Sequence, residues 1–256
     1  MKEHLIQIDK KACIGCSQCI KDCPANNITL INKSAHIKHQ QCIQCGHYVA
    51  ICPKKAVSMT GFNESPIEFK EKTTVDSAQL LQALKTRRTI RQFKNQQISD
   101  QVISQIIEAG RLTPTGGNAQ DVSYIVLKDH LKDVEKIAVH LFRRILPMIK
   151  LINATARDVP IDDHFFFKKA PVVILIISKS KVNGALAASN MALMAESHGL
   201  GVLYSGFFAT AVKYSFKLRK KLKLKNSKVV AALVLGYPNV NYHRTVQKEV
   251  AIVHPL

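Results

Sequence analysis

The sequence predicts an α+β chain in two unequal parts, a small cysteine-rich module followed by a larger mixed domain. Three observations carry this. All seven cysteines of the 256 residues fall between Cys13 and Cys52, so the first sixty residues are chemically unlike the rest. A shift of 29 positions superimposes "CIGCSQCIKDCP" (13–24) on "CIQCGHYVAICP" (42–53), an internal duplication confined to that module. Beyond residue 76, helix-period apolar faces alternate with short apolar runs that fit buried strands.

Composition narrows the class. At 46% apolar the chain can bury a sizeable core, and disorder is not expected. The longest apolar run, "APVVILII" (170–177), is far short of the ~20 residues that span a bilayer. The opening "MKEHLIQIDK" lacks the apolar stretch of an export signal, so a cytoplasmic location and no membrane partner are expected. An odd cysteine count in that setting favours metal ligation over a disulfide scaffold.

Net charge is +19, which raises nucleic acid as a partner. The charge is spread, however: residues 1–62 carry 8 Lys against 3 acids, and the rest 29 Lys plus Arg against 15. The densest run, "KYSFKLRKKLKLKNSK" (213–228), reads as a solvated helix face with Phe216, Leu218, Leu222 and Leu224 turned inward. A docking patch for an acidic redox partner comes second, and nucleic acid third, so no nucleic-acid partner is assigned.

In the module, strand-like pieces flank each half of the repeat: "LIQI" (5–8), "ITLI" (28–31), "AHI" (35–37) and "AVSM" (56–59). His36 and His39 read as surface loop residues. The spacing C-x2-C-x2-C-x3-C-P resembles that of bacterial two-cluster ferredoxins, in which the fourth cysteine of each run ligates the other cluster. That resemblance implies a 4Fe-4S cluster on Cys13, Cys16, Cys19 and Cys52. The second site would take Cys42, Cys45 and Cys23, with Tyr48 where the counterpart of Cys19 belongs. It would then hold a 3Fe-4S centre, or a 4Fe-4S centre completed by water, Tyr48 or His47. A three-Cys-one-His zinc site and an empty site plugged by Tyr48 are the other readings.

Polar residues 63–76, with Pro66, suit a linker between a domain of 1–62 and one of 77–256. A helix capped near Asp76 or Ser77 follows, with Leu80, Leu81 and Leu84 on one face. "TRRTIRQF" (86–93) offers guanidinium forks and a hydroxyl, a chemistry suited to a phosphate. Ser99 caps a helix with Val102, Ile103, Ile106 and Ile107 on its face, ending at Gly110. "LTPTGGNAQ" (112–120) is a tight turn with exposed backbone amides. Strands at 122–127, 172–177 and 229–235 alternate with helices at about 129–150 and 185–198. The second of these helices is rich in small residues and suits close packing at a dimer core, with Met191 and Met194 as core residues. Gly199-x-Gly201 lacks a third glycine, so no dinucleotide fold is expected.

In this order, "RRTIRQF" and "PTGGNAQ" resemble the flavin-binding segments of the FMN-dependent nitroreductase family, in particular members with an N-terminal ferredoxin-like domain. "HGLGVLYSGFF" (198–208) and "LGYPNVNYHRTV" (235–246) extend the likeness over nearly the whole chain. By position it implies that Arg87, Arg88, Thr89 and Arg91 hold the FMN phosphate and ribityl chain, with Arg244 a second cationic contact. Leu203, Tyr204, Ser205 and Gly206 would line the ring, while Pro114, Thr115, Gly116 and Asn118 reach it from the other subunit of a homodimer. The chain departs from many relatives at Asp121-Val122, where Pro-Trp is common, and at Lys248, where an arginine is common.

The implied fold class is a two-cluster ferredoxin-like domain followed by an α+β nitroreductase-like domain. The implied function is electron relay from iron-sulfur centre to FMN and on to a nitroaromatic, quinone or activated alkene, with NAD(P)H or an acidic ferredoxin or flavodoxin as donor. A non-enzymatic electron carrier or redox sensor acting on a protein partner is the alternative. No side chain is assigned as a catalytic acid, base or nucleophile.

Overall fold

The computed structural model describes residues 4–40, 42–68, 71, 73–152 and 158–254. They group into two compact units, Met1–Thr74 with Thr115–Ala119, and Val75–Pro114 with Gln120–Leu256. Among the described residues no helix is long and apolar enough to cross a membrane.

In the first unit, β1 (Ile6–Ile8) pairs antiparallel with β4 (Val57–Met59), and β2 (Ile28–Ile31) with β3 (Ser34–Ile37). Two short helices, α1 (Gln18–Lys21) and α2 (His47–Ile51), follow the two cysteine runs. The duplication is written in the backbone as well as in the cysteines. Gly15, Ser17 and Asn26 have φ of 68°, 62° and 48°, and Gln44, Gly46 and Lys55, each 29 residues on, have 47°, 74° and 52°. Left-handed backbone is unfavourable for side-chain-bearing residues, so retaining it through changes of residue type means that the surrounding loop imposes it. The core of this unit is Ile6, Cys19, Ile28, Ala35, Tyr48 and Val57. The mismatched pair of the repeat, Cys19 and Tyr48, is therefore buried at both ends.

The second unit is built on a four-stranded antiparallel sheet in the order β5 (Ser123–Leu127), β6 (Val172–Ile177), β8 (Val229–Gly236), β7 (Gly201–Tyr204). Every residue of β6 is buried. Val172, Ile174 and Ile176 pack with Ile103 and Ile106 of α4 (Asp100–Arg111) and with Met191 and Ala195 of α6 (Lys181–Ser197). Val173, Leu175 and Ile177 pack on the opposite side with Val134 and Phe142 of α5 (Leu131–Ile152) and Phe208 and Val212 of α7 (Gly206–Tyr214). The sheet is thus the middle of three layers, and an interior strand covered on both faces reads as an unbroken apolar run instead of an alternating one. Ile174→Ala should lower stability by about 3–4 kcal/mol, because β6 and its neighbours cannot collapse into the void; urea denaturation measures it.

Helix starts follow their caps. Asp76 accepts from Gln79 N at the head of α3 (Ser77–Thr86), and Ser99 from Val102 N at the head of α4. Ser180 caps α6, four residues ahead of the sequence expectation, and Ser215 caps α8 (Phe216–Lys221).

Other expectations need correcting. Gly110 does not end α4, which runs to Arg111; a Cβ there would lie 2.5 Å from Tyr124 Oη and 2.8 Å from Met191 Sδ, so the glycine is a close-packing residue. In the basic 213–228 segment Leu218, Leu222 and Leu224 are buried, but Phe216 is 82% exposed. A Cβ on Gly184, just ahead of the small-residue segment of α6, would meet Val230 at 2.8 Å, which leaves the expectation of a dimer core on 185–198 as it stood. Leu80, Leu81 and Leu84 of α3 stay exposed.

Candidate functional site

In the cysteine module, Cys19 and Tyr48 each have three thiols as neighbours. Burial, and then the neighbouring thiols of Cys13, Cys16 and Cys52, push the Cys19 thiol up. Burial, followed by Cys42, Cys45 and Cys23, pushes the Tyr48 phenol up to about 12. Each group therefore takes its last cysteine from the other run. Backbone amides point at the sulfurs with the periodicity of the repeat: Asn27 N donates to Cys23 Sγ and Ala56 N to Cys52 Sγ, both at 3.3 Å. Gln44 N donates to Cys42 Sγ at 3.3 Å, and Ala35 N to Cys13 Sγ at 3.4 Å. Amide donors stabilise thiolate and tune a bound cluster, so the donor set fits iron-sulfur ligation. Among the described residues no three His, Cys, Asp or Glu side chains converge closely enough to hold a single metal ion.

Tyr48 Oη donates to Met59 Sδ at 3.1 Å. His47 lies 3.3 Å from Asp22 and is more than half exposed.

The arginine segment is laid along the edge of the sheet. Thr89 bridges Val202 of β7 in parallel, and Ile90 N donates to Val202 O at 3.1 Å. Gly201 permits this, since a Cβ there would fall 2.5 Å from Ile90. Further on, Lys94 N donates to Tyr237 O and Asn239 N to Gln92 O, tying 92–94 to the chain after β8. Arg87, Arg88 and Thr89 are in this way held beside the strand that carries Leu203 and Tyr204.

Arg88 donates through Nη1 to the carbonyls of Lys85 at 3.1 Å and Arg87 at 2.5 Å. Its Nη2 is buried with no hydrogen-bond partner among the described residues. A buried guanidinium nitrogen left unmatched is costly, and a phosphate oxygen is its natural complement, so the residues present fit a phosphorylated ligand. Arg87 Nη1 lies 3.6 Å from Glu196, whose carboxyl burial pushes up against the pull of Arg87. Tyr204 Oη donates to Ala188 O at 2.9 Å, and Ser205, buried, donates its N–H to Ala232 O ahead of α7. Arg91 is exposed, beside Asn239, and Arg244 is exposed in the segment after β8.

The 114–118 turn is divided. Thr113 Oγ1 donates to Ala109 O and accepts from Asn190 Nδ2, which anchors Pro114 to the second unit. Thr115–Ala119 belongs with the first unit, where Asn118 Nδ2 donates to Ile43 O at 3.0 Å and Gln44 O at 2.9 Å.

Two acids escaped the sequence reading, and a third had been noted only as a departure. Glu196, the lone acid in "ALAASNMALMAESH", could have been singled out on that ground. Glu135, which is buried, accepts from Phe166 N at 3.0 Å and Phe167 N at 2.7 Å, with His164 Nδ1 3.6 Å away. Phe166 and Phe167 are core residues against Phe142 and Phe208. A hollow of about 910 Å³ in the second unit, lined by Lys132, Lys136, His140, Arg143, Arg144 and Lys217, includes none of the expected binding residues.

Asp121, the departure, is a structural brace. Its carboxylate accepts from Asn183 Nδ2 and Ser178 Oγ at 2.7 Å, Lys179 N at 3.0 Å and Ser180 N at 3.1 Å, across the head of α6. These donors, Asn183 first, hold its carboxyl well below the usual carboxylate range. A folded-state pKa below the unfolded one adds stability that is complete above about pH 4 and is lost as pH falls further. Asp121→Asn should cost about 1–2 kcal/mol at pH 7, and the gap to wild type should narrow below pH 4 in urea titrations.

Comparison with known proteins places both halves. A model of the nitroreductase family matches residues 84–237, and one of a 4Fe-4S dicluster domain matches 5–53. An Archaeoglobus fulgidus protein with the provisional name NADH dehydrogenase/NAD(P)H nitroreductase is 31% identical over 159 residues, 62% of this chain and 84% of that one. A component of the ion-translocating oxidoreductase complex of Methanosarcina acetivorans is 47% identical over 47 residues, and the match spans only 18% of either protein. In fold, the chain is similar to a nitroreductase with bound FMN from Desulfitobacterium hafniense (21% identity, 68% of this chain and 97% of that one, TM-score 0.57). A Bacteroides fragilis nitroreductase with bound FMN gives 22% identity, 68% and 98% coverage, and TM-score 0.54. The sheet flanked by helices, the arginine segment on its edge and the match across 84–237 together show that this chain belongs to the nitroreductase family, with an N-terminal 4Fe-4S dicluster domain.

Proposed function

We propose that the protein is an FMN-dependent oxidoreductase that takes electrons through its cysteine module and passes them to a nitroaromatic, quinone or activated alkene. The observation that carries the reading is the buried, partnerless Nη2 of Arg88 on the edge of β7. Arg88 and Thr89 would bind the FMN phosphate, Arg87 and Arg91 the ribityl chain, and Arg244 would add a cationic contact. Leu203, Tyr204, Ser205 and Gly206 would orient the ring on the strand edge. Bound FMN accepts electrons singly or in pairs, which lets one-electron centres serve a two-electron acceptor. The chain's own part is positioning and charge; no side chain is needed as acid or base.

Cys13, Cys16, Cys19 and Cys52 would hold a 4Fe-4S cluster, and Cys42, Cys45 and Cys23 a second centre. The ferredoxin-like domain is 1–62, the linker 63–76 and the flavin domain 77–256. A homodimer is supported by Leu80, Leu81 and Leu84 on α3 and by Val250, Ile252 and Val253, all exposed apolar residues in need of cover. Pro114, Thr115, Gly116 and Asn118 would then complete the flavin site from the partner subunit. The names of the relatives support NAD(P)H as donor, and the net charge of +19 supports an acidic ferredoxin or flavodoxin. A cytoplasmic location suits all of these.

Quantifying FMN, iron and sulfide in anaerobically purified protein, followed by turnover assays, tests the reading. About one FMN per chain with catalysed reduction of a nitroaromatic or quinone supports it. Absence of flavin sinks it, and FMN that cycles without reducing any acceptor favours the carrier or sensor.

A further inference from the structure

We infer that the second cysteine site is a three-thiolate site, with Cys42, Cys45 and Cys23 holding a three-iron cluster while Tyr48 closes the fourth corner without ligating iron. The inference rests on the iron-sulfur reading above and concerns only what this chain does at the mismatched position.

The backbone is the first argument. Ser17 and Gly46 are both left-handed, and each begins a short helix whose second residue is Cys19 in one half and Tyr48 in the other. The equivalent backbone sets Tyr48 Cβ in the position of Cys19 Cβ. A cysteine sulfur is one bond beyond Cβ, whereas the phenolic oxygen lies a whole ring further out. From this backbone it overshoots the corner that a thiolate would occupy.

The second argument is where that oxygen goes. Tyr48 is buried in the module core with Ile6, Ile28 and Val57, and its hydroxyl donates to Met59 Sδ on β4. Its ring fills space and its polar atom has a partner, so nothing drives it toward a metal. His47, the other candidate for a fourth ligand, faces Asp22 and solvent.

The third argument is that the remaining three thiols keep the equipment of a working site. Cys42 has its amide donor from Gln44 and Cys23 from Asn27, the second matching Ala56 on Cys52 in the four-cysteine site. A site falling out of use would have no reason to retain left-handed Gln44, between Cys42 and Cys45, in the register of Gly15, or left-handed Asn26 after Cys23 in the register of Lys55. Three cysteine sulfurs and a corner walled by an aromatic ring fit a cluster that lacks one iron.

The test is iron quantification and EPR of the full-length protein as purified and kept under anaerobic conditions, for wild type, Tyr48→Phe and Tyr48→Cys. About seven irons per chain, a three-iron signal, and an unchanged signal in Y48F are expected. Y48C should lose that signal and gain about one iron. A changed signal in Y48F would make the hydroxyl a ligand and overturn the inference. About four irons with no three-iron signal, or about eight with none, overturns it while leaving the cluster on Cys13, Cys16, Cys19 and Cys52 standing. A protein without iron overturns both readings. Y48F keeps the ring and therefore the fold, so the ligand question is decided even if Y48C assembles poorly.

Discussion

Arg88→Ala should leave a folded protein whose affinity for FMN is about 10–100-fold weaker, the equivalent of one or two charge-assisted hydrogen bonds at about 1.5 kcal/mol or more each. Arg88 has two tasks, and the substitution separates them. Its Nη1 covers the Lys85 and Arg87 carbonyls at the exposed end of α3, which water can take over at little cost. Nη2 has no protein partner, so what is lost with it is the ligand. Arg88→Lys keeps the charge without the fork and should fall between the two. Titration of apoprotein followed by flavin fluorescence, with circular dichroism to monitor the fold, gives the result. An unchanged affinity in R88A would move the phosphate away from this segment.

Cys52→Ala should remove about four irons per chain and leave the second centre in place, although Cys52 lies in the second run. The expectation follows from the crossing: Cys19 senses Cys13, Cys16 and Cys52, whereas the thiols around Tyr48 are Cys42, Cys45 and Cys23. Donor-driven turnover through the module should fall by orders of magnitude, while reduction of an acceptor by dithionite-reduced flavin should hold close to wild type. Iron analysis and EPR read the first effect and parallel assays with the two reductants the second. Loss of the three-iron signal in place of the four-iron one would mean that the runs ligate without crossing.

What could be read from the sequence was whatever depends on local periodicity or on repetition. β2 at 28–31 and β6 at 172–177 were legible to the residue, because β-branched runs between turn residues have few other solutions. The duplication was legible as a repeated spacing, while the crossed ligand sets came only from the likeness to two-cluster ferredoxins. Helix ends were less clear: α6 begins at Lys181, where the apolar pattern has not yet started and only the Ser180 cap marks the turn. Gly110 looked like a stop signal because the sequence does not display the Tyr124 and Met191 side chains that require its smallness. The candidate site was legible as segments and not as pairs. Arg87 with Glu196, or Asp121 with Asn183, are separated by long stretches of chain, and such partnerships leave no local trace.

Because β1 pairs with β4, Ile6 opposite Met59, the chain enters and leaves the cysteine module side by side. Such a segment behaves as a cassette: its two ends span almost no distance, so it can be joined to the front of another fold without stretching or rewiring either. The same adjacency puts Met59, the partner of Tyr48, on the last strand before the exit.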